Sequence, residues 1–163
     1  MKNSIKTSLA TLIVSGLAAS SMLAGPTATQ TVTYQVSAIN ELSVSGNPGA
    51  MTVSTATAGS APTAASDSST SYAITTNESN RKITGILNTV MPTGVSLSVN
   101  LVAPTGGTSL NAIVLTATAQ DLVTGISALN ESGKTITYNL SATSAAGVVA
   151  SATKTVTLTV TTG

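Results

Sequence analysis

The chain has 163 residues, a formal net charge of +1, no histidine, no cysteine and only 2% aromatic residues. The missing histidine and cysteine remove the commonest general base and the thiol nucleophile, which excludes catalysis of either kind. Only 7% of the residues are charged, and no run of like charge predicts a basic surface for nucleic acid or an anionic membrane. We therefore expect no enzyme, no cofactor and no metal site.

The first 24 residues follow the three-part plan of a secretory signal peptide. Lys2 and Lys6 supply a basic start, residues 7–23 carry no charge, and small residues continue to Ala24. A transmembrane anchor is the alternative, but Ser, Thr and Gly dilute the uncharged stretch and no stop-transfer charges follow it. The sequence thus predicts export with cleavage between residues 21 and 28, and no membrane span in the mature chain.

An alternating segment follows the leader almost directly, over residues 31–38. One face of this segment is apolar and carries Val32, Tyr34, Val36 and Ala38, and the opposite face is polar. Such a strand can serve as the first strand of its own domain, or it can pair with the sheet of a neighbouring copy. The first choice gives a self-contained domain and the second a polymer subunit, so we treat residues 29–44 as a candidate donor strand.

The remainder, residues 45–163, is predicted to be a domain of short strands joined by turns. Period-2 alternation predicts strands at residues 51–53, 71–76, 81–87, 95–101, 112–119, 136–142 and 156–160. Composition predicts an exposed loop at 56–70, a hairpin turn at 77–80 and a polar turn at 130–133. Residues 121–129 fit either a short helical turn or a crossover between sheets.

This succession of strands predicts an all-β fold, an immunoglobulin-like β-sandwich of about seven or eight strands. A jelly roll or a small barrel is the alternative. The core is expected to be aliphatic, with Tyr34, Tyr72 and Tyr138 packed in the core or at a sheet edge. Because the chain has no cysteine for disulfides, burial, sheet hydrogen bonds or partner contacts must hold it together.

Three segments together resemble the major pilins of the colonisation-factor type of chaperone–usher fimbriae. These segments are residues 31–39, residues 71–77 followed by Arg81 and Lys82, and residues 155–161. The resemblance implies that the N-terminal row Val32, Tyr34, Val36 and Ala38 completes the fold of the next subunit. It also implies a periplasmic chaperone and an usher as partners, with the chaperone pairing with an edge strand at Val156, Leu158 and Val160.

The expected function is that of a secreted structural subunit. It would be exported through the periplasm and polymerise with itself, by N-terminal strand donation, into a cell-surface filament for adhesion or biofilm. The alternative is a self-contained secreted β-sandwich, a binding or surface-layer module with its ligand surface in the loop at residues 56–70. A filament protein that needs no dedicated chaperone also fits the sequence.

Overall fold

The computed structural model describes residues 25–163, and the chain divides into two compact units, Met1–Gln35 and Val36–Gly163. The predicted signal peptide, residues 1–24, lies outside the described residues. Residues 25–35 of the first unit form neither helix nor strand. Val32 and Tyr34 within it are 76% and 89% exposed.

Nine strands and one turn of 3₁₀-helix, at Ser144–Ala146, make up the second unit. In chain order the strands are β1 (Asn40–Val44), β2 (Ala65–Thr76), β3 (Arg81–Leu87), β4 (Val95–Leu101), β5 (Thr108–Ser109), β6 (Ile113–Val114), β7 (Gln120–Ile126), β8 (Leu129–Ala142) and β9 (Val156–Thr162). Residues 25–163 contain no helix with the length and apolar character that a membrane crossing demands.

The strands form two antiparallel sheets in a sandwich-like arrangement. One sheet has the order β1-β2-β8-β4-β6 and the other has the order β5-β7-β3-β9. The prediction of an all-β sandwich is therefore confirmed. The strand count exceeds the prediction because β5 is only two residues long, too short to show a period-2 pattern, and β7 occupies a segment for which no strand was predicted. Of the strand predicted at 112–119, only the two residues of β6 form.

The core lies between the sheets and uses alternate residues of the longer strands. Successive side chains of a strand point to opposite faces, so Leu97, Val99 and Leu101 of β4 are buried while the residues between them are partly exposed. From the opposite sheet, Ile83 and Leu122 are 0% and 1% exposed. Aliphatic side chains provide most of this core, as the composition predicts.

The turn at residues 77–80 does not close a hairpin, so that prediction is wrong. It joins β2 to β3, but β2 pairs with β1 and β8, whereas β3 pairs with β7 and β9. The chain therefore crosses from one sheet to the other at this point. Asn80 has a φ of 51°, a left-handed conformation that asparagine adopts more readily than most residues.

Other local predictions differ from the structure in length and position. The loop predicted at 56–70 is shorter because β2 already begins at residue 65, and residues 51–53 form no strand. Residues 120–126 form β7, and the chain then crosses to β8 in the other sheet, which matches the crossover alternative. The polar turn predicted at 130–133 lies inside β8, where tertiary pairing with β2 overrides the local turn chemistry.

Candidate functional site

β1 and β9 are edge strands of different sheets, and they lie close to each other. β1 is the outermost strand of the five-stranded sheet, and β9 is the outermost strand of the four-stranded sheet. β9 pairs with β3 along its whole length, from Val156 opposite Leu87 to Thr162 opposite Arg81. Its other edge has no partner strand among the described residues, so backbone N–H and C=O groups there are available for pairing.

An open cavity of about 750 Å³, here called the β9 groove, lies between these two edges. Val156 and Leu158 line it from β9, and Leu42 and Val44 line it from β1. The strands behind contribute Leu97, Ile136, Tyr138 and Leu140, and the loops contribute Met51 and Met91. The groove is therefore mainly apolar and is continuous with the hydrophobic core.

A chain of polar contacts closes one end of the groove. The Asn40 side chain, at the start of β1, donates to Glu78, and Glu78 forms an ion pair with Arg81. Arg81 Nη1 in turn donates to Thr162 Oγ1 at the end of β9, over 2.7 Å. The hydrogen bond from Asn40, followed by the contact with Arg81, lowers the pKa of Glu78, so this clamp favours the ionised carboxylate.

The β9 wall of the groove is only half covered. Val156, Leu158 and Val160 pack against the core, but each is only partly buried. The segment that enters β9 is fixed by Lys154, whose Nζ donates to Thr89 Oγ1 at 2.6 Å and to the Val90 carbonyl at 2.8 Å. The three residues that sequence analysis assigned to an edge strand thus lie on an edge strand, and Val156 and Leu158 face the groove.

The floor of the groove carries two hydroxyl groups. Tyr138 of β8 is 7% exposed, and its burial raises the pKa of its phenol above the ordinary value. Thr70 of β2 is 5% exposed, and its Oγ1 is buried without a hydrogen-bond partner. Native proteins satisfy the large majority of buried polar groups, so the unpaired Thr70 hydroxyl is an anomaly within this floor.

The start of the second unit is tied to its own sheet at Ser37 and Ile39. The Asn77 side chain donates to the Ser37 carbonyl at 2.8 Å and accepts from the Ile39 N–H at 2.8 Å. Ala38 lies between these two anchored residues, whereas Val36, just before them, is 77% exposed. Of the predicted donor row, Val32, Tyr34 and Val36 are therefore exposed side chains that precede the anchor.

The described residues contain no cluster of side chains that could hold a metal ion. Within residues 25–163, no group of three or more acidic side chains is placed to hold a metal ion. The loop of the alternative module hypothesis is reduced to residues 56–64, which form one turn and a single bridge between Ala56 and Pro62. The only charge in the predicted loop, Asp67, belongs to β2 and is engaged by Ser69.

Sequence reasoning found one wall of the groove and missed the other. The alternation in β9 identified Val156 and Leu158, but Met51, Met91 and Thr70 come from loops or from a strand that composition disguised as a loop. No family model, no curated protein and no solved structure matches this chain. Its function must therefore be inferred from its own geometry.

Proposed function

We propose that the protein is the structural subunit of a filament, and that its N-terminal segment inserts into the β9 groove of the next copy. The observation that supports this proposal is a pair of complementary features in one chain. One is an exposed alternating segment with Val32, Tyr34 and Val36 on one face. The other is an open apolar groove beside an unpaired strand edge.

Strand addition would satisfy both features at once. An incoming strand hydrogen bonds through its main chain to the free edge of β9, and its alternate side chains fill the space between the sheets. Val156 and Leu158, only partly buried in the single subunit, become covered on the groove side. Each covered aliphatic surface contributes roughly 25 cal/mol per Å², so the groove gains stability from being filled.

The segment and the groove also match in charge. Residues 25–40 contain no charged residue. The only charged residue that lines the groove is Lys154, whose ammonium group is already hydrogen bonded to Thr89 and Val90. An uncharged strand therefore enters the groove without burying an unpaired charge, which would otherwise cost much more than the contacts return.

The contacts of Asn77 define how much of the chain leaves the subunit. Because Ser37 and Ile39 are hydrogen bonded to Asn77, the donated part ends at Val36, and Ala38 acts as the start of the domain. β1 pairs with β2 from residue 40 onward and stays in its own sheet. The donor strand that we propose is thus residues 29–36, shorter than the candidate segment 29–44.

A subunit with an empty groove needs protection before it is assembled. An exposed strand edge beside an apolar surface is a template for uncontrolled pairing. We infer that an assembly factor first covers β9 with a strand of its own, as the chaperone of the pilin resemblance would. Together with the predicted leader, this supports a function at the cell surface, where the filament is mechanical and adhesive and turns over no substrate.

Deletion of residues 29–36 tests the proposal. The full mature chain is expected to form oligomer ladders or filaments, seen by size-exclusion chromatography with light scattering and by negative-stain microscopy. The deletion variant is expected to keep its groove and lose its donor, so alone it stays unassembled. Mixed with the full chain it should occupy chain ends and shorten the oligomers in proportion to its share.

A matched pair of charge variants controls for nonspecific effects of the segment. V32D with V36D places charges on the face that enters the groove, and assembly should be lost. T33D with Q35D places the same charges on the opposite face, and assembly should persist. A full chain that is a compact monomer, whose fold depends on residues 29–36, would overturn the proposal in favour of the self-contained module.

A further inference from the structure

The unpaired hydroxyl in the floor of the groove suggests which donor residue lies above it. Thr70 is 5% exposed, lines the groove and has an Oγ1 without a hydrogen-bond partner. Because this oxygen is itself buried, a bond to an incoming side chain requires the hydroxyl to turn toward the groove by a change of χ1 rotamer. A buried hydroxyl that stays unpaired costs free energy, so an occupant able to bond it is favoured over one that cannot.

Only one residue of the exposed donor row can make that bond. Val32 and Val36 are aliphatic, whereas Tyr34 carries a phenol and is 89% exposed in the single subunit. The Tyr34 ring is apolar and can pack against Ile136 and Leu97, which line the groove. Its hydroxyl can donate a hydrogen bond to Thr70 or accept one from it. Ile136, the cross-strand neighbour of Thr70, and Tyr138 both line the groove and provide apolar surface for the ring.

We propose that Tyr34 of the incoming copy is the residue that sets the register of strand insertion, by seating its ring on the groove floor and hydrogen bonding to Thr70 Oγ1. This inference rests on the proposed function and adds the residue that determines specificity. The register needs such a determinant because the donor row is otherwise repetitive. A slip of two residues puts Val32 or Val36 over Thr70 and leaves its hydroxyl unpaired.

A slip of one residue is excluded on a different ground. It would turn Thr33 and Gln35 into the groove and leave the apolar row in water, because side chains alternate between the two faces of a strand. Apolar burial thus decides which face enters, and the Tyr34–Thr70 hydrogen bond decides how far the strand enters. The two choices use different residues and can be tested separately.

A double-mutant cycle on the full mature chain tests the proposal. Y34F and T70V each remove one hydroxyl and keep the shape of the side chain. Each is expected to speed the dissociation of assembled oligomers in guanidinium by about two- to tenfold, the effect of one net hydrogen bond. The double variant should dissociate no faster than either single variant, because all three lack the same bond.

Thr161 provides the matched control. It is a partly buried threonine whose Oγ1, like that of the buried Thr70, has no hydrogen-bond partner, but it does not line the groove. T161V combined with Y34F should therefore give additive effects. Additive effects of Y34F and T70V in oligomers that still depend on residues 29–36 would overturn the register assignment alone. Loss of that dependence would overturn the proposed function as well.

Discussion

β4 and β9 have nearly the same sequence pattern and differ sharply in burial. β4 reads Val-Ser-Leu-Ser-Val-Asn-Leu and β9 reads Val-Thr-Leu-Thr-Val-Thr-Thr. Val99 and Leu101 of β4 are both 0% exposed, whereas Val156, Leu158 and Val160 of β9 are all only partly buried. The difference comes from the neighbours, since β4 lies between β8 and β6 while β9 has β3 alone.

This comparison shows that an alternating pattern specifies a strand and its inward face, but not how completely that face is covered. Coverage depends on what lies across the sandwich and on each side of the strand. A strand with the pattern of an interior strand and the position of an edge strand lacks a neighbour. In the filament that we propose, the next copy supplies this neighbour.

The largest expected effect separates the two strands directly. L101A removes a fully buried side chain of β4, and the free energy of unfolding of the subunit should fall by about 2–5 kcal/mol. L158A removes a half-buried side chain of β9 and should cost the single subunit only about 1 kcal/mol. Guanidinium denaturation of the deletion variant lacking residues 29–36 measures both values.

In assembled oligomers we expect L158A to have a larger effect than L101A, the reverse of their order in subunit stability. Because the incoming strand covers Leu158, L158A is expected to speed oligomer dissociation strongly, whereas L101A should act mainly through the stability of each subunit. Equal effects of L158A on subunit stability and on dissociation would show that the β9 groove is not where copies meet.

A second prediction concerns the end of β4. Tyr72 is 1% exposed and its hydroxyl donates to the carbonyl of Val102, just past β4, at 2.6 Å. Y72F should lower the free energy of unfolding by about 1 kcal/mol at neutral pH, the net value of one hydrogen bond. In the described part of the chain, no side-chain hydrogen bond of this kind holds the groove-facing residues of β9. The Tyr72 contact therefore belongs to the strand of the pair whose inward face is covered.

The Tyr72 variant also has a distinct pH dependence. Burial, reinforced by the charge of Glu131, raises the pKa of Tyr72 to about 12 from 10.0. The folded state thus holds the phenol proton more tightly, and the resulting stability is complete below pH 10.0 and is lost as the pH rises toward about 12. Denaturation at pH 9 and at pH 11.5 (both roughly chosen to bracket this window) should show a smaller decline for Y72F than for the parent chain.

The smallest expected effects come from two carboxylates, those of Glu131 and Glu78. The hydrogen bond from Lys134, followed by that from Thr105, lowers the pKa of Glu131 to about 2 from 4.5. This stabilisation is present above pH 4.5 and is lost as the pH falls toward about 2. E131Q should therefore lose less stability in acid than the parent chain does, and circular dichroism can measure this loss.

Glu78 gives the matching test at the closed end of the groove. It joins Asn40 of β1 to Arg81 beside β9, so E78Q weakens the clamp between the two sheet edges. We expect E78Q to change oligomer dissociation and E131Q to leave it unchanged. If both substitutions leave dissociation unchanged, the clamp does not shape the groove.

Much of the fold was predictable because alternation is a local property. The bounds of β3 and β4 match the prediction, and the fold class followed from the number of such strands. The pairing of β2 with β8 and the crossover at residues 77–80 were not predictable, since they depend on contacts between distant parts of the chain. The serine- and threonine-rich start of β2 read as a loop because composition alone does not show that β8 pairs with it.

The site was predictable in part for the same reason. The donor row and the β9 residues both stand out as alternating patterns, whereas Thr70 and Met91 carry no local signal, and Met51 lies in a predicted strand that does not form. The hydrogen bonds that join Asn77 to Ser37 and Ile39 are likewise not predictable, because they connect residues that are about forty positions apart in the chain. These contacts of Asn77 are what limit the donor segment that we propose to residues before Ser37.

The two methionines that line the groove have a consequence for resistance to oxidants. Conversion of a methionine to its sulfoxide makes an apolar side chain polar and disrupts an apolar interface. Met51 and Met91 are both partly exposed in the single subunit. A strand seated over them would shield both sulfur atoms, so oxidative damage would fall on subunits awaiting assembly and spare those already in the filament.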